Sequence, residues 1–217
     1  MPKRARSLEK IRDLERSRRE ILSAAFTEIH ARGFQGVSVD DIVLKTSLTK
    51  GAFYHAFPTK LDLGYALVEE VISPMILNRW IRPLEAFENP IDGIIDRLKT
   101  LIGNAPQAHL RLGCPLNNLV QEMAPLDAGF RRRLKSALKL WVAGVGAALE
   151  RGQSAGFVRS DLDTSQSASF IVMAHEGFYG LLKGLGDAGH FGALFAPLEM
   201  YLDTLRVRNA QNRPLTP

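Results

Sequence analysis

Within residues 38–60, SVDDIVLKTSLTKGAFYHAFPTK, four side chains carry chemistry and have no core to fill: Thr49, Lys50, Tyr54 and His55. A cation, hydroxyls and an imidazole at the front and on one side of a short helix suit phosphate oxygens and base edges, and the free N–H groups of a helix start attract anions. The elements that must position them are legible in the same string. Ser38 with Asp41 three residues on makes a capping-box start, and Val39, Ile42 and Val43 mark one apolar face. Thr46-Ser47-Leu48 reads as a tight turn, Thr49 caps a second helix held down by Ala52, Phe53 and Phe57, and Pro58 stops it. Upstream, Ile21, Leu22, Ala25, Phe26 and Ile29 recur at helical spacing as far as Gly33, which suits a left-handed cap. Three helices by Phe57 make a small tri-helical unit.

Other strings could do chemistry elsewhere. Gly152-Gln153-Ser154-Ala155-Gly156 matches the GxSxG of serine hydrolases, but a nucleophile elbow needs a strand before the serine and a helix after it, and here a helix precedes and a loop follows. The five histidines, His30, His55, His109, His175 and His190, hold no i, i+4 pair and no HExxH, so neither a metal site nor a cofactor is expected and no residue is assigned a catalytic role. Cys114 is the only cysteine, which rules out an intrachain disulfide and fits a reducing cytoplasm. It follows Gly113 and precedes Pro115, at a helix start whose dipole favours a reactive thiolate; the competing reading is a small buried hydrophobe.

The 217 residues suffice for one or two domains with a sizeable core. Through Lys60 there are 12 Lys and Arg against 7 Asp and Glu, and after it 16 against 16, so the first part holds all of the net +5. That asymmetry points to a polyanion partner at one end. Lys3, Arg4, Arg6, Lys10 and Arg12 are expected to form a mobile arm that lies along a minor groove or the phosphates. No apolar segment follows these charges, as a signal peptide would require, and His175, Glu176 and Lys183 interrupt the most apolar stretch, 170–185, so no membrane partner is expected.

No alternating pattern of strands appears, and the fold class is all-α. Helices are expected over 61–87, bent at Pro74, and over 91–102, 128–153, 165–185 and 191–207. Gly177, Gly180 and Gly184 fall on successive turns of one helix, suiting either a self-paired interface or close packing within the chain. Trp80, Phe87, Asn117, Asn118, Trp141, His175, Phe178 and Tyr179, with Cys114, are the candidates to line an effector pocket, because an apolar cavity with a few orienting polar groups is what a small organic ligand requires.

The run ILSAAFTEIHARGFQGVSVDDIVLKTSLTKGAFYHAFPTKLDL resembles the N-terminal DNA-binding domain of the TetR family of bacterial transcriptional regulators, through its Arg-Gly-Phe break, Thr-Lys-Gly opening and Tyr-x-x-Phe-Pro-x-Lys close. Ser47 stands where a glycine is usual, and Ala56 where a His or Tyr is common. The Gly-Cys-x-x-x-Asn-Leu segment in LRLGCPLNNLVQEMAP resembles a branch of that family. The resemblance implies that Ser38 touches phosphate, that Thr49 and Lys50, with Gly51, enter the major groove, that Tyr54 and His55 meet phosphates or bases, and that Lys60 clamps the backbone, with Lys45 a further candidate. It also implies an arm at 1–15, a helix-turn-helix domain at 16–72 with the motif near 38–57, and an effector-binding and dimerisation domain at 73–217 whose last two helices pair with a second copy. The implied protein is a cytoplasmic, nucleoid-associated bacterial repressor, released from a near-palindromic double-stranded operator by a small organic or electrophilic effector. A DNA-binding factor without ligand control and a hydrolase using Ser154 are the alternatives.

Overall fold

In the computed structural model, the backbone is described for residues 2–186 and 188–207 and the side chains for 12–186 and 189–207. Every regular element among the described residues is helical, and the only extended pairing is an isolated bridge between Val158 and Arg206. The chain divides into two units, one made of the residues up to Pro74 with Pro115–Ala137, the other of Met75–Cys114 with the chain from Leu138 onward. Pro115–Ala137, which lies in the effector domain of the family scheme, thus packs with the N-terminal helices.

The first unit is built around α1, Pro2–Arg32, whose Ile21, Leu22, Ala25 and Ile29 are buried. The backbone of the basic stretch expected to be a mobile arm is helical from Pro2. Lys, Arg, Leu and Glu are good helix formers, and once the apolar turns after Arg18 nucleate the helix, each preceding residue adds a hydrogen bond at little cost. Side chains of Lys3, Arg4, Arg6 and Lys10 lie outside the described residues. Gly33 ends α1 at φ +81°, as a left-handed cap should.

Helices α2, Val39–Val43, and α3, Lys50–Ala56, lie on α1 through buried Ile42, Phe53 and Phe57. Helix α4, Lys60–Ala66, starts at a Thr59/Asp62 capping box. Arg18 of α1 ties these pieces together. Its guanidinium donates to Ala56 O (3.0 Å) at the end of α3, pairs with Glu70 and lies 4.3 Å above the Phe57 ring.

Helical structure after Lys60 runs to Leu84, through π-helical turns at Leu67–Ile72 and Leu77–Ile81 on either side of α5, Ser73–Ile76, with α6, Arg82–Leu84, at its end. Pro74 sits in α5; it has no N–H to donate, and the Ser73 hydroxyl donates to Val68 O at 2.8 Å, so the register shift takes up the broken ladder. Phe87 lies beyond the helix and packs by Gly93.

The second unit continues with α7, Pro90–Leu98, a π turn at Lys99–Gly103, and α8, Gln107–Leu112, a short helix without a counterpart in the sequence reading. Helix α9, Pro115–Met123, and the start of α10, Ala128–Ser154, belong to the first unit. The rest of α10, α11, Thr164–Leu185, and α12, Phe191–Thr204, complete the second. Asp163 caps α11 by accepting from Gln166 N, and Gly186 ends it in the left-handed region. Residues after Thr204 leave the expected helix and pair back: Val207 N donates to Phe157 O and Arg159 N to Leu205 O.

Gly64 is where the first unit is tightest. A Cβ there would come within 2.4 Å of Phe130 Cζ and 2.6 Å of Phe34 Cε2, in a cluster where Phe34 and Phe130 meet edge to face at 4.8 Å. Gly64→Ala should therefore lower unfolding stability by about 1–3 kcal/mol in urea titration, the usual cost of overpacking.

Candidate functional site

The α2–turn–α3 element is held in shape by exposed polar side chains at its caps and turn. The Ser38 hydroxyl donates to Asp41 Oδ2 (2.7 Å), Asp41 N donates back to Ser38 Oγ (3.1 Å), and Ser38 N donates to the same carboxylate, closing the capping box. Ser47 of the turn donates through both its N–H (2.6 Å) and its hydroxyl (2.9 Å) to Glu20 Oε1 on α1. That bond explains why a serine serves where the family pattern has glycine: the side chain gains an anchor. Thr49 caps α3 by accepting from Ala52 N.

With Phe53 fully buried beneath, α3 presents Lys50, Gly51, Tyr54 and His55 to solvent, Tyr54 being 47% exposed with its ring edge-on to Phe53. Lys45 and Thr49 are also exposed. A Cβ added at Gly51 would meet only Thr49 Oγ1, at 3.7 Å, so the fold does not itself require glycine there. Lys50 Nζ is not idle: it pairs with Asp40 at 2.7 Å, and that carboxylate raises its pKa. Lys60 differs from the rest. Its ammonium lies 4.5 Å over the Phe34 ring, half-buried, and burial pushes its pKa down while the charges of Glu122 and Asp41 oppose the shift.

Of the carboxylates that hold this surface, sequence reasoning identified Asp41 alone. Besides Glu20 and Asp41, Glu122 of α9 accepts from Phe34 N and Gln35 N, both at 2.8 Å. Asp127 accepts from Tyr65 Oη and from Phe130 N. Apart from the Asp127–Phe130 bond, whose partners are 3 residues apart, no local pattern announces them, since the partners are 62, 87 and 88 residues apart.

The pocket candidates divide. In the second unit Trp80, Trp141, His175 and Tyr179 form one aromatic group, with His175 4.7 Å from Trp141, 5.1 Å from Trp80 and 5.0 Å from Tyr179. His175 is buried, and its Nδ1 lies 3.2 Å from Glu176 Oε1. Trp141 Nε1 and Glu176 Oε2 are buried without a hydrogen-bond partner among the described residues. Tyr179 donates to Leu101 O at 3.0 Å in the π turn, and its pKa is pushed up to about 12, chiefly by burial and next by the neighbouring Cys114. Cys114 is buried. Phe178 packs with Phe191 and Phe195 instead, and Asn117 and Asn118 belong to the first unit. Glu176 is a member the sequence reading used only as a break in an apolar run.

Ser154 sits on the last turn of α10, where its hydroxyl donates to Glu150 O (3.1 Å), a helical environment with no strand leading into it. The GxSxG string thus lacks the strained strand-to-helix turn that exposes a nucleophile.

Residues 21–67 match the family described as bacterial regulatory proteins, tetR family, and residues 94–196 the family described as tetracyclin repressor-like, C-terminal domain. An uncharacterized HTH-type transcriptional regulator of Lactococcus lactis subsp. lactis is 28% identical over 123 residues, 57% of this chain and 63% of its own length, so under two thirds of that relative is spanned. The HTH-type transcriptional repressor DhaR of Mycobacterium sp. (strain GP1) is 28% identical over 153 residues, 67% of this chain and 72% of its own. The solved structure of a transcriptional regulator from Cytophaga hutchinsonii superposes with a TM-score of 0.81 at 20% identity, covering 91% of this chain and 98% of that one.

Ser47 holds the carboxyl of Glu20, and Ser38 that of Asp41, below the usual carboxylate range. A carboxyl depressed in the folded state stabilises above its unfolded value and loses that contribution as pH falls through the folded one. Exchange of the Ser47 amide, corrected for intrinsic pH dependence, should therefore accelerate relative to Phe53 as pH drops below that range.

Proposed function

Because the chain belongs to the TetR family of bacterial regulatory proteins, we propose that it is a ligand-responsive repressor, not an enzyme, which binds a near-palindromic operator as a homodimer in the cytoplasm at the nucleoid. The observation that carries the reading is α3: a buried phenylalanine side and an outer side of Lys50, Gly51, Tyr54 and His55, opened by Thr49. Two such helices related by a two-fold axis would enter successive major grooves roughly 34–36 Å apart. Ser38 and Lys45, both exposed, add phosphate contacts in this reading, and Lys60 contributes from its place over Phe34.

The dimer surface in this reading is the outer side of α11 and α12. Phe170, Met173, Leu181, Leu185 and Met200 are exposed there, and Cβ positions at Gly177, Gly180 and Gly184 meet nothing within 4 Å. An apolar strip with a glycine row lets a second backbone approach closely. The effector contacts lie in the second unit, where Trp80, Trp141, His175 and Tyr179 supply aromatic surface, Trp141 Nε1 a free donor and Glu176 Oε2 a free acceptor. Cys114 beside Tyr179 makes an electrophilic effector one chemical option. An effector that binds better to a conformation with the wrong reader spacing lowers operator affinity by linkage.

Variants of α3 and the indole emission of the second unit test this. Lys50→Ala should weaken binding to a duplex selected by the wild-type protein by about tenfold or more, while sedimentation still gives a dimer. Gly51→Ala should also weaken it although the fold has room for the methyl; urea titration should show stability unchanged or raised by up to about 1 kcal/mol. Both tryptophans of the chain stand in the aromatic group, so effector binding should shift or quench intrinsic indole emission; hits in a thermal-shift screen that leave emission untouched would place the ligand elsewhere.

A further inference from the structure

We propose that Glu122 is a positioning residue for operator recognition, a clamp that sets the approach to the helix-turn-helix from a helix outside it; this rests on α3 being the DNA-reading element. The loop after α1 must deliver Ser38 to the start of α2, and it has no regular structure to fix its path. Two consecutive amides of that loop, Phe34 N and Gln35 N, donate to the two oxygens of one carboxylate at 2.8 Å each, a paired charge-assisted arrangement that sets orientation as well as distance.

The carboxylate is itself held in place. A Cβ at Gly33 would meet Glu122 Oε2 at 3.1 Å, so the left-handed glycine and the carboxylate lie in close contact. Helix α9 is seated by Leu119 and Pro115 against Phe26, Ile29, Leu67 and Ile72, around a cavity of about 10 Å³, room for one water at most. On the far side of the loop, Phe34 lies against Phe130 and beneath the Lys60 ammonium. The path from Gly33 to Ser38 is thereby fixed by residues 115–130 and not by the tri-helical unit alone. Glu20 does the same for the turn that leaves α2, so the helix is gripped at both ends by carboxylates from other elements.

The proposal makes a prediction opposite in sign to simple charge. Glu122→Gln removes a negative charge from the DNA-binding unit, which by Coulomb attraction alone would tighten binding to a polyanion. If Glu122 positions the loop, the variant loses one of two acceptors and binding weakens. With full-length protein and a duplex selected by the wild type from a random library, Glu122→Gln should bind about tenfold more weakly, and Glu122→Ala more weakly still, at equal folded fraction. Amide exchange of residues 33–37 should speed up in both variants while the buried turns of α1 stay protected.

Equal or tighter binding by Glu122→Gln overturns the proposal, as does uniform loosening of every helix. A measurement on the wild type guards against variants that fail to fold: if the Phe34 and Gln35 amides exchange at unprotected rates there, no clamp exists in solution and the idea is lost. Lys50→Ala separates the two readings. If it still binds the duplex, the DNA-reading assignment has failed; if it loses binding while Glu122→Gln does not, the clamp alone is wrong.

Discussion

Helices of five and seven residues do not stand by themselves in water, and the DNA-reading end of this chain is made of two of them. Each buries few side chains, and each leaves backbone donors at its ends and in the loops between. Those donors are taken one after another by acid side chains: Glu122 on the loop before α2, Asp41 at its cap, Glu20 on the turn after it and Asp62 at the start of α4. Buried Ile42, Phe53 and Phe57 supply attraction without direction, and the carboxylates supply the direction.

This division of labour reconciles two demands on one surface. A unit meant for a polyanion carries several carboxylates, yet those named above are spent on backbone N–H groups. The cations are left at the outside, and even Lys50 waits in a pair with Asp40. A solvent-screened pair of this kind is held only weakly, so Lys50 stays able to exchange Asp40 for another anion. The pairing offsets self-repulsion among the basic groups at this end of the chain.

In the second unit the economy is reversed. Trp141 and Glu176 keep a donor and an acceptor buried with no partner among the described residues, a state that disfavours folding by about 1–3 kcal/mol per group. Natural cores hold few such atoms. Both atoms lie in the aromatic group around His175, which is the observation behind the proposed effector contacts.

The local rules in the chain settled a great deal without help. Periodicity at Ile21, Leu22, Ala25 and Ile29, the caps at Ser38 and Thr49, the left-handed Gly33 and the outward set Lys50, Tyr54 and His55 all depend on spacings under a dozen residues, and spacing is what a sequence displays. The helical basic stretch ran against expectation because propensity and an already nucleated helix outweighed the lack of an apolar face. What only the tertiary structure decided is long-range: that Glu122 reaches back 88 residues to a loop amide, that Pro115–Ala137, with Asn117 and Asn118, packs with the N-terminal helices, and that Phe178 packs with Phe191 and Phe195. A carboxylate seeking a backbone N–H leaves no periodic trace, since any loop donor at the right place satisfies it, and that place exists only once the helices have packed.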